Sequence, residues 1–109
     1  MELSRDFIGV NQTLLGSKQH KALMADLGPG GMLMLIDLWM GMFRNQVNIN
    51  SLSNAEIREM ATSKNCIPPV DFLNRLENAG FIHKTESGRL RWRPAFVKGI
   101  NALPERRGR

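Results

Sequence analysis

Residues 70–92 read VDFLNRLENAGFIHKTESGRLRW, and their pattern changes from helix to strand at Gly80. Before that glycine, apolar residues recur at helical spacing, which predicts a helix over Pro69–Ala79. After it, two short runs flank Ser87 and Gly88, a pair that favours a two-residue hairpin turn. The stretch therefore predicts a helix that leads directly into a β-hairpin.

The predicted helix has an apolar face and a polar face. The polar face carries Asp71, Asn74, Arg75 and Asn78 at spacings of three and four residues. Asparagine can form two hydrogen bonds to adenine, and arginine can form two to guanine, so this face is suited to reading DNA bases. An ordinary solvated helix face is the alternative interpretation.

The predicted hairpin, residues 81–93, alternates apolar and basic side chains. A two-residue turn pairs Lys84 with Arg91 and His83 with Trp92, and side chains alternate across a strand. The core face then holds Phe81, His83, Leu90 and Trp92, and the outer face holds Lys84, Arg89, Arg91 and Arg93. A solvated strand without a partner is the alternative interpretation of the outer face.

The residues before this stretch predict another helix over residues 54–63. Ser53 and Glu56 have the spacing of a capping box, and Leu52 and Ile57 have that of a hydrophobic staple. A turn follows, in which Lys64 is a candidate contact to a phosphate backbone.

The first half of the chain predicts two further helices. Ser17 begins the first, residues 18–27, and Gly28 ends it. Pro29 opens the second, residues 29–45, which is apolar on nearly every side and is therefore expected to be central. Three weaker expectations are a short strand over residues 6–10, a last helical turn within residues 95–103, and a basic mobile end over residues 104–109.

This order of elements predicts a mainly α fold with a small β-hairpin, specifically a winged helix-turn-helix. Residues 1–103 form a single domain in this interpretation. Residues 54–63 and Pro69–Ala79 are the helix-turn-helix pair, and residues 81–93 are the wing.

The net charge of +5 is unevenly distributed. Residues 1–80 carry seven basic and eight acidic side chains, whereas residues 81–109 carry eight and two. Such asymmetry favours a polyanionic partner, with nucleic acid before an anionic membrane surface. A basic solubilising tail is the alternative interpretation.

Other function classes lack the residues that they require. Cys66 is the only cysteine, and with His20 and His83 it matches no metal-ligand spacing. No nucleophile lies beside a base, and the longest apolar stretch, residues 32–43, is too short to cross a bilayer. We therefore expect no catalytic residue, no metal, no cofactor and no membrane partner, and a cytoplasmic location in a bacterial or phage-infected host cell.

Four segments also resemble a known family: HKALMADLG, LIDLWMGMF, SLSNAEIREMA and the stretch quoted first. They are similar to the N-terminal winged-helix modules of bacteriophage replication-initiation proteins and replisome organisers, over residues 20–92. The resemblance implies a role in phage or plasmid replication initiation, with a helicase or its loader as a candidate partner. Those proteins usually continue into a second region, so we expect either a simpler role or a piece of a longer protein.

The function predicted from these observations is binding of double-stranded DNA. Helix Pro69–Ala79 is expected in the major groove, and the wing on phosphates or in the minor groove. A winged-helix transcriptional regulator is one alternative, and an adaptor that binds protein and not DNA is another. The target sequence and the oligomeric state are left open. The predicted DNA-contact residues are Lys64, Asn74, Arg75, Asn78, Lys84, Arg89, Arg91 and Arg93.

Overall fold

The computed structural model describes residues 7–53, 55–57 and 69–104. These residues are mainly helical, with one two-stranded antiparallel sheet. This confirms the coarse prediction of helices with a small hairpin. The helices are α1 (Lys18–Leu27), α2 (Pro29–Asn45) and α3 (Pro69–Ala79), the strands are β1 (Ile82–Lys84) and β2 (Leu90–Trp92), and short 3-10 turns lie at Gln12–Leu14, Ile49–Ser51 and Ile100–Ala102.

The boundary between α1 and α2 is as predicted. The Ser17 hydroxyl accepts a hydrogen bond from the backbone N–H of His20 and so begins α1. Gly28 ends it at a φ of 74°, which favours glycine, and Pro29 is the first residue of α2. Within the described residues no single helix is long and apolar enough to cross a membrane. Helices α1 and α2 together have the length and composition, and the chain bends by 118° between them.

Helix α2 supplies the largest share of the core. Its buried side chains include Leu35, Leu38, Trp39 and Met42. One side of the helix is nevertheless open, because Leu33 is 57% exposed and Ile36 is 36% exposed. The expected central position is therefore confirmed, although burial on nearly every side is not.

The predicted capping box is present. The Ser53 backbone N–H donates to Glu56 Oε1 at 2.9 Å, and the Glu56 N–H donates to Ser53 Oγ at 3.2 Å. Residues 55–57 are helical. The rest of the predicted helix and the turn that contains Lys64 and Cys66 lie outside the described residues.

Helix α3 leads directly into the hairpin, as predicted. Phe72 and Leu76 are fully buried on its inner face. Gly80 adopts a φ of 95°, and the Phe81 N–H then donates to the Leu76 carbonyl at 2.9 Å. This glycine turn fixes where β1 starts relative to α3.

The predicted register of the hairpin was wrong by one residue. His83 lies opposite Arg91, and Lys84 lies opposite Leu90. The cause is a three-residue loop, residues 86–88, which ends at Gly88 with a φ of 88° and is closed by the Thr85 N–H to Arg89 carbonyl bond. A slip of one residue changes the face of one strand relative to the other.

Two asparagine side chains cover the outer edge of β2. Asn50 accepts from the Leu90 N–H at 2.9 Å and donates to the Leu90 carbonyl at 3.2 Å. Asn101 makes the same pair of bonds to Trp92, at 3.0 and 2.9 Å. These two residues, the edge asparagines, satisfy backbone groups that would otherwise need a third strand.

An aromatic cluster joins α2, the hairpin and the C-terminal segment. The ring of Trp39 lies 5.7 Å from that of Trp92 and 6.4 Å from that of Phe81, and Phe81 lies 5.8 Å from Phe96. Such tilted and edge-on contacts add to the energy of area burial. The cluster anchors the hairpin to the helices.

The chain ends differ from their predictions in part. Val10 forms a single bridge to Val97, so the expected strand over residues 6–10 is reduced to one pair in the described residues. The C-terminal helical turn is present as Ile100–Ala102. Residues 105–109, the greater part of the expected mobile end, lie outside the described residues.

Candidate nucleic-acid interface

The exposed face of the hairpin carries four basic side chains, one histidine and three arginines. Strand alternation brings His83 and Arg91, which lie directly opposite each other, onto the same face as Arg89 and Arg93. All four residues are exposed. We call this surface the cationic face.

Burial of the opposite face determines this arrangement. Ile82 and Trp92 pair across the two strands and are almost fully buried, and Leu90 is half-buried. Because side chains alternate along β2, burying Leu90 and Trp92 turns Arg91 towards solvent. Packing of the apolar face against the core thus leaves the basic side chains exposed to solvent.

The cationic face forms part of an open concavity of about 530 Å³. Glu86 is the one carboxylate in its described lining. Within the described part of the chain, neither Arg91 nor Arg93 has an ion-pair partner. The concavity is therefore net positive, and its lining is His83, Lys84, Thr85, Glu86, Arg91 and Arg93.

Lys84 lies elsewhere than the sequence predicted. The observed register puts it opposite Leu90, on the other face of the sheet from Arg91. It is exposed nonetheless, because it is at the end of β1 beside the loop, and it lines the same concavity. Its positive charge therefore still contributes to this surface.

The outer surface of α3 is polar but carries little positive charge. Asn74 and Asn78 are exposed, as predicted, and Glu77 is exposed beside them. Their amides can donate to and accept from base edges. Glu77 adds a negative charge that opposes close approach to phosphates.

Arg75 is engaged by two carboxylates. Its Nη1 atom lies 2.5 Å from Asp26 Oδ1 on α1, and its Nε atom lies 3.0 Å from Asp71 Oδ2 on α3. The hydrogen bond to Asp26, followed by that to Asp71, raises the pKa of Arg75 above its ordinary value. The side chain is 35% exposed and links two helices.

The ion pair between Arg75 and Asp26 lies in a groove between α1 and α3. This groove has a volume of about 340 Å³, with Asp26, Arg75 and Asn78 in its lining. Asn78 therefore lies at the border of this groove, whereas Asn74 is on the open surface of α3.

His83 is the residue of this surface that the sequence prediction missed. The pairing of His83 with Trp92 followed from a two-residue turn at Ser87 and Gly88. The same residues also suit a three-residue loop with Gly88 in the left-handed region, and that reading places His83 with the arginines. The signal was present in the sequence but ambiguous.

In residues 7–53, 55–57 and 69–104, no three His, Cys, Asp or Glu side chains lie close enough together to hold a metal ion. Comparisons of the chain with protein-family models, with curated proteins and with solved structures gave no match in any of the three. The cationic face carries exposed basic side chains, and the outer surface of α3 carries exposed amides.

Proposed function

We propose that this chain is a winged-helix protein that binds double-stranded DNA. The observation that carries the proposal is the cationic face, with Arg89, Arg91 and Arg93 exposed on a hairpin whose first strand is separated from α3 by two residues. A rigid basic projection beside an exposed helix suits the backbone and groove of a duplex.

The order of the elements supports the winged-helix interpretation. A capped helical start at residues 55–57 precedes α3, and α3 precedes the hairpin. In this interpretation α3 is the helix presented to the major groove, and the hairpin is the wing. The edge asparagines and the aromatic cluster hold that wing against the core.

Phosphate contacts account for most of the expected affinity. Four exposed basic side chains lie on or beside the cationic face: Lys84, Arg89, Arg91 and Arg93. Each phosphate that they neutralise releases counterions, so three or four contacts give a slope of log affinity against log salt of about −3 to −4. This part of the affinity does not depend on base sequence.

Base readout in this proposal falls to Asn74 and Asn78. Their exposed amides are on the outer surface of α3, where a helix in the major groove would meet base edges. Arg75 has a different part, because its guanidinium already binds Asp26 and Asp71. We assign it the positioning of α3 against α1.

The narrower role in phage or plasmid replication initiation is supported by the sequence resemblance. It brings with it a bacterial or phage-infected cytoplasm and a helicase or its loader as a candidate partner. A transcriptional regulator with the same DNA-binding surface is the neighbouring alternative. We assign no catalytic residue and no cofactor in either role.

Fluorescence anisotropy with a labelled duplex at a series of salt concentrations tests the proposal. We expect binding at about 50 mM salt that weakens along the slope given above. Arg91→Glu should weaken every duplex alike, whereas Asn74→Ala should change the preference among duplexes. Lys98→Glu is the matched control, since Lys98 is an exposed cation outside the concavity.

An adaptor function is the second candidate, and the exposed apolar residues of α2 favour it. Leu33 and Ile36 are on the open side of that helix. An adaptor would show no duplex binding at about 50 mM salt, and Arg91→Glu would have no effect in any DNA assay. That pair of results would reject the DNA-binding proposal.

A further inference from the structure

His83 and Arg91 form a directly opposed pair on the exposed face of the hairpin. Both residues are exposed, His83 on β1 and Arg91 on β2. Cross-strand hydrogen bonds join Thr85 to Arg89 and Phe81 to Arg93, one pair on either side. Residues opposed in this way have Cα atoms about 5.5 Å apart, so both side chains can reach one small group above the sheet.

The two side chains offer complementary donors for a phosphate. The guanidinium of Arg91 presents a planar fork that can bind two phosphate oxygens at once. A protonated imidazole has two N–H donors and a positive charge, whereas a neutral imidazole has only one N–H donor. Together they can donate to both non-bridging oxygens of one phosphodiester, because each oxygen can accept more than one hydrogen bond.

We propose that His83 and Arg91 jointly bind a single phosphate group, and that the imidazole of His83 is protonated in the complex. We call this pair the hairpin phosphate site. The inference rests on the proposed function, since the phosphate is expected to belong to a DNA strand. It goes further by adding a residue to the contact surface and by making the affinity depend on pH.

The charged groups that line the concavity beside His83 come from both strands of the hairpin and from its loop. Lys84 and Glu86 line the concavity from β1 and its loop, and Arg91 and Arg93 line it from β2. Helix α3 also packs on β1 but contributes no side chain to the described lining. A phosphate bound here would add negative charge beside His83, which favours the charged form of the imidazole in the complex.

The first test measures duplex affinity against salt at about pH 5.5 and about pH 8, on either side of the range in which imidazoles titrate. We expect the wild-type slope to be steeper by about 0.9 at the lower pH, because one more contact is made. Binding there should be about tenfold tighter, as expected for a charge-assisted hydrogen bond.

Variants identify the group responsible. His83→Gln should show the same slope at both pH values, and it should keep its fold because His83 is exposed. His20→Gln is the matched control, since His20 is the other histidine of the chain and its Nδ1 accepts the Gly16 N–H. Arg91→Gln should lose most of the pH dependence, because the phosphate would no longer be held beside His83.

A second measurement separates the phosphate site from DNA binding. Inorganic phosphate is titrated against the labelled protein while the ring signals of His83 and His20 and the Nε–H signal of Arg91 are followed by NMR. We expect His83 and Arg91 to shift together and His20 to stay unchanged.

The outcomes are distinguishable. If duplex binds but its pH dependence survives in His83→Gln or in Arg91→Gln, the hairpin phosphate site is rejected and the proposed function stands. If no duplex binds but phosphate shifts His83 and Arg91, the site stands and the proposed function is rejected. If neither ligand affects these residues, both are rejected.

Discussion

At Arg75, one guanidinium joins two helices. Its bond to Asp26 connects α3 to α1, and its bond to Asp71 spans one turn of α3 itself. The i, i+4 pair with Asp71 is visible in the sequence, but Asp26 is 49 residues away and no local pattern indicates it. Arginine is a residue type that can read guanine, but the guanidinium of Arg75 is already bound to Asp26 and Asp71.

Replacing Arg75 with Gln should lower the free energy of unfolding without changing the salt slope of duplex binding. Folding raises the pKa of Arg75. The charged guanidinium therefore contributes its full share of stability at any pH below its ordinary pKa, and this share is lost only as pH rises through the higher pKa of the folded state. The deficit should therefore be the same at about pH 7 and about pH 9. Urea unfolding followed by circular dichroism measures it.

Glu77→Gln is the control for that prediction, since Glu77 is an exposed charge on the same helix. A salt slope that falls by about 0.9 in Arg75→Gln would instead show that Arg75 contacts a phosphate.

The edge asparagines should differ in their contributions to stability. Asn101→Ala leaves the Trp92 N–H and carbonyl unpaired in a partly buried place, which should cost about 1–3 kcal/mol. Asn50→Ala should cost less than about 1 kcal/mol, because its bonds to Leu90 are exposed and water can replace them. Urea unfolding gives the costs, and faster amide exchange at Trp92 or Leu90 identifies the site. Equal costs would contradict this explanation.

At the scale of elements, sequence patterns predicted helices better than strand pairing. The bounds of α1, α2 and α3 follow from caps, glycines and prolines that act within a few residues. The hairpin register instead depends on whether its loop has two or three residues, and Gly88 suits both. That single ambiguity moved His83 from the cationic face to the core in the prediction.

Gly88→Ala tests the loop that sets the register. The φ of 88° is in the left-handed region, and a Cβ there would meet no atom within 4 Å. The cost is therefore one of backbone strain, about 1–2 kcal/mol, and Gly88→Asn should cost less because asparagine tolerates this region. Thermal unfolding compares the two variants. A Gly88→Ala protein as stable as the wild type would contradict the observed loop geometry.

At the scale of the molecule, the aromatic cluster connects segments that are far apart in sequence. Phe96 reaches Phe81, which reaches Trp39 on α2. The apolar spacing predicted that Phe81 and Trp92 would be buried, but it could not predict their partners, because contacts between rings are decided by tertiary packing. The contacts of Asn50 and Asn101 with β2 were equally unpredictable, because asparagines in these segments are also common as ordinary turn residues.

Phe96→Ala should destabilise the whole domain by about 3–5 kcal/mol, as expected for a large ring lost from a core. Phe96 is only 6% exposed. Phe7→Ala is the same substitution at a side chain that is 66% exposed, and it should change stability by less than about 0.5 kcal/mol. Urea unfolding measures both. Equal effects would show that the ring contacts of Phe96 are not the cause.

The edge asparagines also bear on how copies of this chain behave at high concentration. An uncovered strand offers a row of donors and acceptors to any passing chain, which is a common start of aggregation. Asn50 and Asn101 occupy those groups on β2 with side chains, which cannot propagate a ladder as a further strand would. The outer edge of β2 should therefore be a poor template for a strand from a neighbouring molecule.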